Sequence, residues 1–301
     1  MKITRTSISP YQNPDFQEKE RAVFAKFEKV GGPGEILITN TLTDIAALDT
    51  KNLQLIIHTN SGYDNFPLDF VKRVDFPIIV GNEIRAQAVS EYILFCLFKR
   101  FGTFAHQTNW DRKLKNRFLL KEKNILIVGY GHVGKLVKKS LDPLAGNIFV
   151  VDPFVEGCSE SLHDVSLDLC DVVILCPSLN PTSFHLINKE ILEKLPNDLT
   201  LINPSRGNLV AQKDLLEFLK KNGHAFAFLD VFEKEPHDLA FPEITNLFTT
   251  SHIAGVFENL DDQIINFERR VLQDFFDRPS DFSAIYKNSL LKNRIKDNFL
   301  V

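Results

Sequence analysis

A chain of 301 residues with 44% apolar content is long for one domain and can fill the cores of two. Its net charge of −4 is spread along the sequence, which gives no general attraction for nucleic acid or an anionic membrane. No apolar run approaches the ~18 residues that span a bilayer, and the start Met1-Lys2-Ile3-Thr4-Arg5 lacks the long apolar core of a signal peptide.

In chain order, Ile36-Leu37-Ile38, Leu55-Ile56-Ile57 and Pro77-Ile78-Ile79-Val80 are short apolar runs that read as strands. Between them lie helix-compatible segments, Asp44–Leu48 and Leu68–Val74. A longer amphipathic helix is expected from about Ala86 to Phe101. Further strands are predicted at Asn124–Val128, Ile148–Val151, Val172–Leu175, Leu199–Ile202, Phe226–Leu229 and Leu247–Phe248. Leu209–Asn222 reads as a helix closed by Gly223, and a charged, amphipathic helix is expected around Ile264–Phe276. Near-continuous apolar strands alternating with helices imply α/β architecture with parallel sheets covered on both faces.

The four cysteines (Cys96, Cys158, Cys170, Cys176) have no metal or redox spacing and read as free thiols. Together with the missing leader this points to the cytoplasm. Residues 99–123 are locally basic: Lys99, Arg100, Arg112, Lys113, Lys115, Arg117, Lys121 and Lys123 stand against Asp111 and Glu122. Without aromatics aligned for stacking, the stretch reads as a solvated connection or an arm between subunits, not a nucleic-acid surface. His58, His106, His163, His185, His224 and His237 have no chemical company and read as structural, and no metal-ligand spacing is visible.

The run Gly129-Tyr130-Gly131-His132-Val133-Gly134 follows an apolar strand and opens a helix with Val133, Leu136, Val137 and Leu141 on one face. That is the context of a dinucleotide fingerprint, with pyrophosphate resting on the helix N-terminus. The next strand ends in Asp152, 18 residues after Gly134, where a carboxylate can accept from both hydroxyls of an adenosine ribose. Gly129 to Lys135 also spells the start of a triphosphatase phosphate loop. Leu136 stands where that loop needs Ser or Thr, so the dinucleotide reading prevails. Three later strands then lead into loops carrying Arg206, Asp230 with Glu235, and His252. In a doubly wound sheet the carboxyl ends of strands face the ligand crevice, so a guanidinium, a carboxylate and an imidazole reach one sheet edge. Singly, each would pass for a surface or core residue. Their joint order beside a dinucleotide site points to chemistry.

From Asn60 to Gly255 the chain resembles the D-isomer-specific 2-hydroxyacid dehydrogenases. The resemblance is carried by Asn60-Ser61-Gly62-Tyr63-Asp64-Asn65, Ala88-Val89-Ser90-Glu91, the fingerprint with Asp152-Pro153, and Ile202-Asn203-Pro204-Ser205-Arg206-Gly207. It continues through Leu229-Asp230-Val231-Phe232-Glu233-Lys234-Glu235-Pro236 and Ser251-His252-Ile253-Ala254-Gly255. Arg206 and Glu235 lie 29 residues apart, as that family's arginine and glutamate do, which selects Glu235 over Glu233.

The resemblance implies two doubly wound domains. Residues 87–255 would form the NAD-binding Rossmann domain, and residues 1–86 with 256–301 a trimmed, flavodoxin-like substrate-binding domain. It implies hydride transfer between NAD(H) and a D-2-hydroxy acid/2-oxo acid pair. His252 would be the acid–base group, Glu235 its partner, and Arg206 the holder of substrate carboxylate and carbonyl. Amides around Ser61 and Gly62 would help grip that carboxylate. Gly131, His132 and Val133 would contact the pyrophosphate, Pro177 would line the cofactor cleft, and Asp230 would hold the nicotinamide amide. Arg85 would recognise a second anionic group, sit exposed near the helix start, or bridge Glu83. A homodimer through the cofactor domains is implied as well. Ser251 stands where the family usually has Pro, Pro204 where a small polar residue is common, and Leu175 at an often polar cleft position. Glu235 argues against the formate-oxidising branch, which carries an amide there. The other reading of this scaffold is an NAD(H)-sensing regulatory protein whose output is a partner contact.

Overall fold

The computed structural model describes residues 1–102, 110, 117–238, 241 and 244–301. His106 and three residues of the basic stretch, Arg112, Lys113 and Lys115, lie outside the described residues. The chain divides into two compact units, Met1–Arg85 with Val256–Val301, and Ala86–Gly255.

The first unit is built on β1 (Lys2–Arg5), α1 (Phe16–Glu28), β2 (Glu35–Thr39), β3 (Leu53–His58), α2 (Leu68–Arg73) and β4 (Ile78–Val80). Its four strands are parallel and lie in the order β1-β2-β3-β4. A flavodoxin-like sheet runs 2-1-3-4-5. Leaving out its outermost strand gives four neighbours in unbroken sequence, the order observed here. Alternate strand residues serve opposite faces. Ile36, Ile38, Leu55 and Ile57 pack with Phe16, Phe24 and Phe27 of α1. Leu37, Ile56, Ile78 and Val80 pack with Phe66, Phe70 and Val71 on the other face. The segment Asp44–Leu48 forms no helix. Asp44 accepts the Ala46 amide at 3.1 Å, and this Asx turn competes with a helix too short to nucleate.

Helix α3 (Asn82–Phe101) begins earlier than its apolar pattern suggests and leads into the second unit. There follow β5 (Ile125–Val128), α4 (His132–Leu141), β6 (Ile148–Val151), β7 (Val172–Leu175), α5 (Lys189–Lys194), β8 (Thr200–Asn203), α6 (Gln212–Lys221), β9 (Phe226–Leu229) and β10 (Leu247–Thr249). Helix α7 (Leu260–Asp277) belongs to the first unit, where Ile264, Phe267, Val271 and Leu272 join the α1 face. The α6 helix starts later than the expected Leu209. A 3-10 turn at Gly207–Leu209 and a bridge between Ile187 and Val210 occupy the residues before it. Asn222, whose side chain donates to the Phe218 carbonyl at 3.1 Å, closes it in place of Gly223.

The second sheet is parallel, in the order β10-β9-β8-β7-β5-β6. A single bridge between Val151 and Ser159 adds a residue-long strand beyond β6. With it the sheet has the strand order of doubly wound dinucleotide-binding domains, with the reversal of winding between β5 and β7. Leu126, Val128, Val173 and Leu201 face α5 and α6, whereas Ile125, Ile127, Val172 and Ile174 face α3 and α4. Burial on both faces is the reason these strands read as continuous apolar runs. All four cysteines are free thiols. Among the described residues no helix is long and apolar enough to cross a membrane, and no His, Cys, Asp and Glu cluster could hold a metal.

Candidate active site

At the β5–β7 reversal, the three fingerprint glycines do different jobs. Gly129 has φ +90°, and a β-carbon there would lie 2.5 Å from the nitrogen of Pro177. A β-carbon on Gly134 would meet the Gly129 carbonyl oxygen at 2.1 Å, so helix and turn can close only around hydrogen at both positions. A β-carbon on Gly131 would meet nothing within 4 Å. Gly131 therefore keeps open space before the first turn of α4, where no side chain caps the helix. Open space before uncapped amides, at the positive end of a helix that starts with His132 and Val133, suits a pyrophosphate. Asp152 accepts from the Tyr130 amide at 2.7 Å through one oxygen and from the Phe154 amide at 2.9 Å through the other. The carboxylate is thus locked beside the glycine turn, with acceptor capacity left on each oxygen.

Three loops at the same edge of this sheet carry the candidate chemistry. After β8, the wholly buried Asn203 folds the turn bearing Arg206: its amide donates to the Arg206 carbonyl at 2.9 Å and its oxygen accepts the Ser205 amide at 3.1 Å. Ser205 in turn donates to the Leu175 carbonyl at 2.8 Å, tying the turn to β7. After β9, Glu235 accepts the Phe232 amide at 3.0 Å through Oε1. Its Oε2 lies 2.7 Å from Nδ1 of His252, which follows β10. Burial alone would push the Glu235 carboxyl up. The hydrogen bonds from His252 and the Phe232 amide, with the charges of His252 and Arg206, outweigh it and hold Glu235 below the usual carboxylate range. Since the carboxylate only accepts, Nδ1 carries a proton and Nε2 is left for a substrate.

Asp230 takes a role that its position in the sequence did not reveal. Its carboxylate is fully buried and accepts from Thr250 Oγ1 at 2.5 Å, the Ile253 amide at 2.8 Å and the Ala254 amide at 2.8 Å. It folds the loop that presents His252, whose own φ is +58°.

In the first unit, the loop after β3 has its carbonyls captured one after another. Gly81 N donates to the His58 carbonyl at 2.7 Å and to that of Asn60 at 3.2 Å, and Arg85 Nη1 donates to Thr59 at 2.7 Å. The Asn82 amide, turned to satisfy both of its neighbours, donates to Ser61 at 3.1 Å. His58 Nε2 donates to Gly62 at 2.8 Å while Nδ1 accepts from the Thr39 hydroxyl at 2.9 Å. Five successive carbonyls, His58 to Gly62, are thus engaged from within this unit, which fixes the loop carrying Ser61 and Gly62. Arg85 does not bridge Glu83, which pairs with Arg270. Burial draws the Arg85 guanidinium down to about 10, with the charge of Asp261 opposing.

Residues 94–254, more than half of the chain, match the sequence profile described as "D-isomer specific 2-hydroxyacid dehydrogenase, NAD binding domain". The chain belongs to the D-isomer specific 2-hydroxyacid dehydrogenases. Its second unit is the NAD-binding domain of that family, and the glycine turn, the α4 terminus and Asp152 fit that cofactor.

Among relatives of this chain, the erythronate-4-phosphate dehydrogenase of Blochmanniella floridana is 29% identical over 233 residues, 73% of this chain and 59% of that protein. The same enzyme of Wigglesworthia glossinidia brevipalpis is 30% identical over 233 residues, 73% of this chain and 57% of that protein. The chain thus spans less than two thirds of the length of these curated relatives. Among solved structures, D-lactate dehydrogenase from Aquifex aeolicus, complexed with NAD and lactic acid, superposes with a TM-score of 0.70 at 18% identity. That match covers 95% of this chain and 98% of the other, and it shows the shared fold.

Arg206, Glu235 and His252, singled out by type and spacing, stand on loops at one edge of the second sheet, with Glu235 and His252 in contact. Asn203, Gly207 and Thr250 were not singled out; His58, read as structural, is buried and bonded to Thr39 and Gly62. Asn203 alone left a signal, an Asn at a strand end two residues before Ser, the pattern of an Asx turn.

Proposed function

We propose that this protein is a dehydrogenase that transfers a hydride between NAD(H) and a D-2-hydroxy acid/2-oxo acid pair. The observation that carries the reading is the 2.7 Å pair of Glu235 Oε2 and His252 Nδ1, with Arg206 close enough for its charge to favour the Glu235 carboxylate. NADH, when bound, supplies the hydride for reduction. Arg206 holds the substrate carboxylate and polarises the carbonyl through fixed donors. His252 gives its Nε2 proton to the carbonyl oxygen as the new C–H bond forms, and takes a proton back in the oxidation direction. Glu235 orients the imidazole and stabilises its charged form. The amides of Ser61 and Gly62 are assigned to an anionic group of the substrate. Asp152 is assigned to the ribose hydroxyls, and the amides from Gly131 to Val133 to the pyrophosphate. The fully buried carboxylate of Asp230, expected from the sequence to hold the nicotinamide amide, is assigned instead to holding the His252 loop.

Two relatives are named for erythronate 4-phosphate, a hydroxy acid with a second anionic group. Arg85 donates through Nη1 to the neutral Thr59 carbonyl, so most of its donors and its charge remain for such a group. Turnover of NADH with a panel of 2-oxo acids, singly and doubly anionic, tests the reading. No turnover with any of them would leave NAD(H) sensing as the function. Arg85→Ala should lose efficiency selectively on the doubly anionic members, and equal losses on both classes would remove Arg85 from substrate recognition.

We also propose a homodimer formed by the second unit. Phe95 and Phe98 of α3 are about half exposed, and Phe118 and Leu119 are each 58% exposed, an apolar surface that a second copy would cover. Sedimentation equilibrium on wild type and Phe95→Ser/Phe98→Ser decides it: a dimer that the double variant breaks supports the face, and a monomeric wild type removes it.

A further inference from the structure

We infer that Thr250, with Tyr92 behind it, is a positioning residue for the imidazole of His252, acting through the buried carboxylate of Asp230. The inference rests on the reading of His252 as the acid–base group. His252 has φ +58°, a left-handed conformation that residues with a β-carbon adopt rarely and only where the surroundings impose it. The surroundings here centre on Asp230. Beyond His252, the amides of Ile253 and Ala254 donate to Oδ1 and Oδ2 of Asp230, each at 2.8 Å. At His252 itself the amide donates to the Asp230 carbonyl at 2.7 Å. Before it, Thr250 Oγ1 reaches Asp230 Oδ1 at 2.5 Å, while the Thr250 amide donates to the Leu229 carbonyl at 2.9 Å.

The direction of these bonds follows from what each group can give. A carboxylate only accepts, so the Thr250 hydroxyl commits its single proton to Asp230. Its oxygen therefore accepts from the Tyr92 hydroxyl, 2.8 Å away. The chain Tyr92 to Thr250 to Asp230 joins α3, the end of β10 and the end of β9, three separate elements that converge on one buried anion. With the hydroxyl in place, the carboxylate plane is fixed so that each oxygen faces one loop amide. Without it, Oδ1 keeps a single donor, the carboxylate can turn, and His252 is free to leave the left-handed region. Nδ1 then moves off Glu235, and the proton-bearing face of the ring loses its aim. Displacements of this kind, on the order of 1 Å, cost about a hundredfold in rate.

The substitutions are Thr250→Val, which keeps shape and drops the hydroxyl, Thr250→Ser, which restores it, and Tyr92→Phe. We expect Thr250→Val to lower kcat about 10- to 100-fold while the Kd for NADH stays within about twofold, with Thr250→Ser regaining most of the loss. Tyr92→Phe, the milder change, should show the same pattern at a few-fold and serves if Thr250→Val does not fold. The second readout needs no turnover: in the nitrogen-15 spectrum of the imidazoles, the protected Nδ1–H of His252 seen in wild type should be lost in Thr250→Val. A folded Thr250→Val with wild-type kcat, a Ser variant that fails to rescue, or an unchanged His252 signal would each overturn the inference. If wild type reduced no 2-oxo acid, the functional reading would fall while the spectrum still decided what holds the loop.

Discussion

Gly207 lies directly against the backbone of Phe232: a β-carbon on it would sit 1.9 Å from the Phe232 carbonyl carbon and 2.0 Å from the oxygen. The Arg206 loop and the loop leading to Glu235 are therefore pressed together main chain to main chain. No side chain stands between them that could yield. Gly207→Ala should force the loops apart, costing about 1–3 kcal/mol in stability as other overpacked sites do. Because Arg206 and Glu235 move with those loops, kcat/KM for a 2-oxo acid should fall about a hundredfold. Thermal unfolding and steady-state kinetics on the same preparation check both. Wild-type kcat/KM in this variant would show that the contact does not set the site.

His252→Ala should lower kcat by roughly 10²–10⁴-fold, the usual worth of a positioned acid–base group, with NADH binding measured by fluorescence nearly unchanged. Glu235→Gln removes the carboxylate that orients the imidazole and balances its charge, so kcat should fall while the KM for the oxo acid stays nearly unchanged. Arg206→Ala should chiefly raise the KM for the oxo acid. Full turnover by His252→Ala would end the proposed mechanism.

The second unit was legible because burial on both faces of a parallel sheet forces apolar runs, and Ile125–Val128, Val172–Leu175 and Phe226–Leu229 fall where the pattern put them. The first unit was less so. β1 carries Lys2, Thr4 and Arg5, a polar sequence, yet the Arg5 side chain is buried between Glu20 and Glu268. Burial drives the Glu268 carboxyl well above the usual carboxylate range, a state invisible to a reading that takes charge as a sign of the surface. The same limit hid Asn203, which works by bonding main-chain groups, and no spacing of side-chain types records that.

Asp152 predicts cofactor choice. Its oxygens are held by the Tyr130 and Phe154 amides at 2.7 and 2.9 Å, so the carboxylate cannot swing aside to admit a 2′-phosphate. NAD should be favoured over NADP in kcat/KM, and Asp152→Ala should narrow the gap. Equal efficiency with both cofactors in wild type would count against this assignment.

His58 predicts how the first unit responds to acid. Burial, with the charges of Arg85 and Arg5 against that of Asp64 and the bond to Gly62, draws its imidazole down to about 4 from an ordinary 6.5. A depressed value means that the unfolded chain binds the proton more readily than the folded one. The stability due to neutral His58 is therefore present above pH 6.5 and is lost as pH falls toward about 4. Over that window the difference amounts to roughly 3 kcal/mol. Gln in place of His58 cannot titrate, and it keeps a donor for the Gly62 carbonyl. Urea unfolding at pH 7 and pH 5 should show wild type losing stability that His58→Gln keeps. Equal losses in the two proteins would mean that other groups carry the acid sensitivity, and that the loop of Ser61 and Gly62 is not anchored by a neutral imidazole.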